Sequence, residues 1–389
     1  MTDFLPVIRP VFDRAELDNI TTCLESGHVT QGNFVAKFES LFQDFLPVPH
    51  AVAVSSGTAA LHIGLLALGI GKGDEVLVPS FTFVATANAV ELTGATPVFV
   101  DVQPREYNID IDSARKALTA KTKAIIPVHQ FGLCADMDAV LGLAGQEGLM
   151  VIEDAACATG SQFKGQAAGS MGDLGCFSFH PRKVITTGEG GMLTTRNNQL
   201  AETARQLRNH GARPLPGDAQ NWQMAEFDQC GLNYRMSDIL GAVGCAQMEK
   251  VTKILAERKR IAQLYMAAFQ GIGSVELPTE PEDRIHSWQS FVIFVRGGKS
   301  KRNAYAAQLA DRGVQVRCGT HAVHRLHYYA QKYGLAPQRL PGASLCEDCT
   351  LTLPVVHTDK NMARIGTRLT IHDHSQKNAG RRPRTCRKF

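Results

Sequence analysis

Long apolar runs are missing from this sequence. No stretch reaches the about 18 consecutive apolar residues that a spanning helix requires, and the opening MTDFLPVIRP lacks the charged-then-apolar pattern of a secretion signal. Internal repeats, low-complexity linkers and heptads are also lacking, which leaves neither a solenoid nor a coiled coil to consider. Acid is absent from the last thirteen residues, KNAGRRPRTCRKF, which carry six basic ones. The net charge of +4 therefore belongs to that end: without it, 35 basic residues face 37 acidic ones, a net −2. Such a body has no nucleic-acid character, and neither a nucleic-acid nor a membrane partner is expected. A second Cys pair is missing beside Cys346-Glu-Asp-Cys349, so that spacing is not read as zinc or redox chemistry. The ten cysteines are scattered, several in apolar stretches, and are read as buried free thiols of a cytoplasmic protein.

What is present is a chain of 389 residues, 44% hydrophobic, long enough for a large core and two domains. Apolar runs at AVAVSS (51–56), EVLVPS (75–80), TPVFVDV (96–102), KAIIPV (123–128) and LMVIEDA (149–155) read as buried strands. Helical patterns lie between them, with Leu61, Leu65 and Leu68 at helical spacing in 58–69 and a similar pattern in 136–148. Strands alternating with helices give an α/β fold with a mostly parallel sheet covered on both faces. LGCFSF (174–179) and GMLTT (191–195) add two strands. A helical pattern without proline runs from Ser237 to about Phe269 and carries the chain out of the large domain. WQSFVIFV (288–295), a helix near 301–312 and VQVR (314–317) then indicate a smaller α+β domain.

Open parallel sheets bind ligands at the carboxyl ends of their strands. Ser55-Ser56-Gly57-Thr58 follows a strand and opens a helix, an arrangement that makes an anion site or simply a helix cap. Asp154 closes LMVIEDA between apolar residues, where a carboxylate is paired, caps a helix or performs chemistry; Glu153 points to the other face. Lys183, in SFHPRKVITTGEGG, lies after a late strand and ahead of glycines that permit close backbone approach. A phosphate site, a buried carboxylate and a lysine in that chain order fit pyridoxal 5'-phosphate, which needs an anion cradle, an anion at its ring nitrogen and an amine for a Schiff base.

The segments SSGTAALHIGLLALGIGKGDEVLVPSFTFVATANAV, VIEDAACATGS, GDLGCFSFHPRKVITTGEGGML and NYRMSDILGA resemble the DegT/DnrJ/EryC1/StrS family of sugar aminotransferases, from about Pro10 to about Pro354. The resemblance implies the fold-type-I architecture of pyridoxal-phosphate enzymes, a large mixed, mostly parallel sheet flanked by helices. The cofactor-binding domain with an N-terminal arm then spans 1–250 and a smaller C-terminal α+β domain 251–374. It implies a homodimer with the active site at the subunit interface, glutamate as amino donor and a keto-sugar, generally nucleotide-linked, as acceptor. By motif position Lys183 resembles the Schiff-base lysine and Asp154 the partner of the ring nitrogen. Ser178, Gly57 and Thr58 resemble phosphate ligands, Phe83 the aromatic stacked on the ring, and Asn233 a residue reaching the phosphate from the other subunit. The family has Gln or His where this chain has Cys157, a weaker donor to the ring hydroxyl.

Members with histidine in place of the lysine are sugar dehydratases. This chain keeps Lys183, with His180 nearby as a structural or substrate-edge residue, so transamination is expected. The 3-dehydratase reaction is the first alternative and a non-catalytic, cofactor-bound regulatory protein the second. CGTHAVHRLHYY (318–329) resembles a substrate-side loop, with His321 and His324 placed to meet sugar or nucleotide phosphate. Zinc through His321, His324 and His327 is not expected, since no acidic or thiol ligand is fixed nearby. The lysine segment points weakly to a 4-keto-6-deoxy sugar. After LTLPVVH the chain parts from the family, and GRRPRTCRKF cannot continue an amphipathic helix. Residues from about 375 are expected to form a basic, poorly ordered tail without catalytic residues. That tail is either native or the product of an altered reading frame.

Overall fold

Seven of the apolar runs become seven strands of one sheet: β1 (His50–Val54), β2 (Glu75–Pro79), β3 (Thr96–Val100), β4 (Thr122–Ile125), β5 (Met150–Asp154), β6 (Leu174–Ser178) and β7 (Gly191–Thr195). Their order is β1-β7-β6-β5-β4-β2-β3, and β7 alone runs antiparallel to its two neighbours. The computed structural model describes residues 4–213, 215, 220 and 222–356, so the expected basic tail and the end of the small domain at 374 lie outside the described residues.

The helices that position the site are α1 (Arg14–Glu25), α2 (Asn33–Phe45), α3 (Gly57–Ala67), α4 (Ala85–Leu92), α5 (Met137–Glu147), α6 (Asp238–Glu249), α7 (Val251–Phe269) and α8 (Gly298–Asp311). Alternate strand residues feed two separate cores. Ala51, Ala53, Leu77, Val151 and Phe177 pack with Phe38 and Phe42 of α2, Val140 of α5 and Met248 of α6. Val52, Val54, Val76, Ile152 and Leu193 pack with Leu61 and Leu65 of α3 and Val90 of α4. Apolar residues on both faces explain why these strands read as continuous runs rather than as alternation.

A second, antiparallel sheet is built from β8 (Val275–Glu276), β9 (Phe291–Val295), β10 (Arg317–Cys318) and β11 (Thr350–Leu353), in the order β8-β9-β11-β10. It packs with Ile261, Tyr265 and Phe269 of α7 and Tyr305 and Leu309 of α8 into a third core. VQVR was expected to be a strand; only Arg317 joins β10, and Val314 bridges Leu5 instead. The proline-free pattern from 237 to 269 is two helices, not one. Lys250 ends α6 and precedes α7, and its ammonium lies 2.8 Å from both Asp13 and Glu16 at the start of α1. We propose that the two-part division of the chain, 1–250 and 251–374, falls at this break.

No N-cap in the sequence marks α2, because Gly32 offers no side chain there. The cap comes from α6: the Asp238 carboxylate accepts the N–H groups of Gly32 (3.0 Å), Phe34 (3.1 Å) and Val35 (2.8 Å). Asp238 is buried, and a Cβ on Gly32 would sit 2.9 Å from its Oδ2. An anion at a helix N-terminus is doubly favoured, by hydrogen bonds and by the helix dipole. Asp238→Ala strands these donors, and the expected cost is about 2–4 kcal/mol, read as a lower urea midpoint. Asp238→Asn, which keeps one acceptor, should lose less; an unchanged midpoint for the alanine variant would mean that water replaces the carboxylate at no cost.

Candidate active site

Neighbouring residues at a strand end point to opposite faces, and β5 ends on two carboxylates. Glu153 faces the α2 side, fully buried. Its oxygens accept the N–H groups of Gly169 (2.8 Å), Met171 (2.7 Å) and Gly172 (2.7 Å) and the Nε2–H of His129 (2.8 Å). The His129 Nδ1 accepts the Ala135 N–H at 3.1 Å, which puts the ring proton on Nε2. Glu153 is thereby saturated. Asp154 faces the other way, only 4% exposed. Its Oδ1 accepts the Ala156 N–H (3.2 Å) and its Oδ2 the Thr86 hydroxyl (2.8 Å). No ion pair engages it among the described residues, an expensive state for a buried anion that calls for a cation to complete it.

Thr86 sits in the first turn of α4. Its single hydroxyl proton has two acceptors in reach, Asp154 and the Phe83 carbonyl at 3.2 Å. The nearer, charged one takes it, and the Thr82 hydroxyl at 3.0 Å then donates to Thr86. Both threonines are buried. This two-hydroxyl relay escaped the sequence reading, although the Thr82/Thr86 spacing within PSFTFVAT was visible.

At the end of β6 the sequence Phe177-Ser178-Phe179 alternates in the same way. Phe177 lies 5.0 Å from Phe42, and Phe179 5.0 Å from Phe38, on the α2 side. Ser178 turns to the α3 side, against Gly57, where a Cβ on the glycine would be 2.8 Å from the Ser178 Cβ. The Ser56 hydroxyl caps α3 by accepting the Ala59 N–H at 3.0 Å. The N–H groups of Gly57 and Thr58 stay at the positive end of the helix, beside Ser178. The glycine run does allow close packing, though around this loop rather than behind the lysine: a Cβ on Gly191 would meet the Ser56 carbonyl oxygen at 2.3 Å.

Lys183 follows β6 and extends its Nζ to 3.2 Å from the Cys157 Sγ, on the loop just after Asp154. His180 is half-buried; its Nδ1 accepts the Arg182 N–H at 3.2 Å, and burial pulls its pKa below the ordinary value. Phe83 is 54% exposed, an uncovered aromatic face beside Thr82. The two-residue strand Phe81–Thr82 pairs antiparallel with His321–Ala322, which brings His321 opposite Thr82 and leaves it exposed. His324 is placed otherwise. It is fully buried, with Nδ1 2.6 Å from the Ser80 hydroxyl and Nε2 3.2 Å from the Pro337 carbonyl, so it fastens a loop and is not free to meet a substrate. Asn233 is exposed and bridges Asn209, while its neighbours Tyr234 and Arg235 pair with Ser55 and Val54. Cys346 and Cys349 are buried on one short helix, and among the described residues no cluster of three or more His, Cys, Asp or Glu is arranged for a metal.

The model of the DegT/DnrJ/EryC1/StrS aminotransferase family matches residues 10–369. A GDP-perosamine synthase of Caulobacter vibrioides is 39% identical over 90% of this chain and 92% of its own length. One of Escherichia coli O157:H7 is 37% identical over 86% and 89%. Among solved structures, a putative sugar aminotransferase of Streptococcus pneumoniae in its PLP form superposes with a TM-score of 0.88 at 28% identity, covering 94% of this chain and 97% of that one. The residues described above fit that cofactor: a helix end with a serine for its phosphate, a buried carboxylate without an ion pair among the described residues for its ring nitrogen, and an amine that reaches the loop just after that carboxylate.

If the Thr82–Thr86 relay holds Asp154 in place, Thr86→Val removes a charge-assisted hydrogen bond without changing the side chain's shape. Cofactor affinity should fall about 10-fold or more, by titration of the visible absorbance, while the unfolding midpoint changes little. Unaltered affinity would show that Asp154 is held by the Ala156 amide alone.

Proposed function

The chain belongs to the DegT/DnrJ/EryC1/StrS aminotransferase family, and from that premise we propose that it moves the amino group of glutamate to carbon 4 of a GDP-linked 4-keto-6-deoxy sugar. It is a pyridoxal-phosphate-dependent sugar aminotransferase; donor, nucleotide and carbon are the proposal. Two relatives are named GDP-perosamine synthase, which supports a GDP-linked sugar as acceptor. The observation that carries the site is Asp154, buried without a cation among the described residues at the same end of the sheet as Ser178, the α3 terminus and the loop bearing Lys183.

Pyridoxal phosphate, when bound, supplies an aldehyde that captures amines and a ring that draws electrons from the attached carbon. The chain's own groups do the rest. Asp154, oriented by Thr86 and Ala156, keeps a proton on the ring nitrogen. Gly57, Thr58 and Ser178 hold the phosphate, and the open face of Phe83 takes the ring. Lys183 Nζ carries the proton between the substrate carbon and the cofactor. Cys157, 3.2 Å from that amine, would meet the ring hydroxyl, to which a thiol donates only weakly. His321 and His180 border the sugar. In the first half-reaction glutamate gives up its amine and leaves as the 2-oxo acid; in the second the keto-sugar takes the amine in place of its carbonyl oxygen.

We place a second copy against this site. Leu215, Trp222 (79% exposed), Met224 (90%) and Phe227 lie uncovered within one stretch, too apolar a set for a free surface. In a homodimer Asn233 would reach the partner's phosphate site. Among the described residues no helix is long and apolar enough to cross a membrane, and we propose that the enzyme works in the cytoplasm, where nucleotide sugars are made.

Borohydride treatment of the purified protein should fix the cofactor to the peptide containing Lys183, and Lys183→Ala should remove both that linkage and turnover. Label on any other lysine overturns the assignment. Asp154→Asn should keep the fold and lose at least about 100-fold in kcat, because an amide cannot hold the ring proton. A panel of keto-sugar nucleotides with glutamate, read by mass spectrometry, should give an amino sugar from the GDP-linked 4-keto-6-deoxy substrate; a deoxygenated product without amine transfer would favour the dehydratase.

A further inference from the structure

Beneath Lys183 lies a buried cation that the chemistry above does not use. Arg258, on α7, is 2% exposed. Its Nη1 donates to the carbonyls of Trp288 (3.2 Å) and Gln289 (3.1 Å), and its Nη2 to the carbonyl of Lys183 itself (3.2 Å). Its Nε is buried with no partner. No carboxylate pairs with it among the described residues, and burial alone pulls its pKa down to about 10. A buried, unpaired guanidinium is a costly way to fill space. Only its planar fork of five donors can reach three carbonyls from two separate chain segments.

The same junction fastens both loops of the site. The Gln289 amide donates to the Arg182 carbonyl at 2.7 Å, so the carbonyls of Arg182 and Lys183 are both held from below. The Ser287 hydroxyl donates to the Cys157 carbonyl at 3.2 Å. Ser287 and Ser290 donate their N–H groups to Gly132 and Phe131. Trp288 and Phe131 both take left-handed backbone, φ 52° and 59°, a conformation that bulky residues adopt only when their surroundings impose it.

We propose that Arg258 is a positioning residue for Lys183. By fixing the lysine's carbonyl to the Trp288–Gln289 backbone, which also anchors the Cys157 loop through Ser287, it sets the root from which the four-carbon side chain reaches Cys157 and the reacting atoms. The amine must be released and recaptured in each catalytic cycle, and a wandering root would misplace it at both steps. Arg258 touches neither substrate nor cofactor; it acts through Lys183.

The inference rests on Lys183 being the cofactor lysine, and borohydride mapping of the wild-type protein tests that premise separately: label elsewhere removes premise and inference together. With Lys183 labelled, holoenzyme carrying Arg258→Met should show kcat reduced about 30- to 100-fold, as sub-ångström to ångström misplacement predicts, with KM for both substrates within about threefold. The pH profile and visible band of the bound cofactor should change too. Arg258→Lys, able to reach some of the three carbonyls, should recover part of the loss. Should the methionine variant fail to fold, Gln289→Leu frees the Arg182 carbonyl while leaving Arg258 in place, and should lower kcat about 5- to 10-fold at unchanged KM. A folded, cofactor-loaded variant at either position with wild-type kcat, or losses that only track the unfolded fraction, would overturn the proposal.

Discussion

Two carboxylates adjacent in sequence are buried side by side at the end of β5, and the pleat of a single strand keeps them apart. Glu153 is saturated by four donors on the α2 face, while Asp154 is left with a hydroxyl and one amide on the other. If the register slipped by one residue they would exchange places. The saturated carboxylate would then face the ligand and the needy one the hydrocarbon. The Phe177-Ser178-Phe179 end of β6 obeys the same constraint, and so do Val54 and the loop after it. Site and core are therefore the two sides of one sheet edge, and packing of α2 on the phenylalanines keeps Ser178 against Gly57.

The lysine needs more than the sheet, because it lies five residues past the last strand position. Its loop is held from the second sheet's side, through α7 and the segment that leads into β9. That segment is rigid in its own right. His286 and Trp288 stack 4.0 Å apart at 2°, the His286 Nδ1 accepts the Trp288 N–H, and burial pushes His286 down to about 3, so the imidazole is neutral throughout the neutral range. The small sheet's side thus reaches the Lys183 loop through that loop's backbone carbonyls.

The strands were legible because residues buried on both faces leave unbroken apolar runs, and the burial of Asp154 because a carboxylate closing an apolar strand ahead of Ala155-Ala156 stands out; Lys183 drew notice through the glycines that follow it, and Ser178 through the family resemblance alone. The rest was hidden for specific reasons. The helix α2 has glycine where a cap should be, since its cap arrives from residue 238. The break at Lys250 is invisible in a good helix former and is set by Asp13 and Glu16 far away. His324 looked like His321, but the pairing of Phe81–Thr82 with His321–Ala322 leaves the first histidine outside and carries the second in. Arg258 did leave a trace: Val251, Ile254, Ile261 and Tyr265 mark the buried stripe of α7, and Arg258 occupies that stripe rather than the solvated one. A charge in an apolar phase is a question about its partners, and here the partners are carbonyls.

The cap on α2 also constrains the order of assembly. Its carboxylate lies more than 200 residues downstream of the N–H groups it serves. The strand β1 stands at one end of its sheet, where it pairs with β7, which begins at Gly191, and bridges Arg235 through Val54. A chain emerging from the ribosome thus makes α2 and β1 long before their partners exist. The strands β2, β3, β4 and β5 can pair among themselves as they appear, whereas α2 and β1 depend on contacts with residues made much later, a non-local demand that slows folding. The loop at Ser56–Gly57, which follows β1 and packs against Gly191, takes its shape only when those distant segments meet.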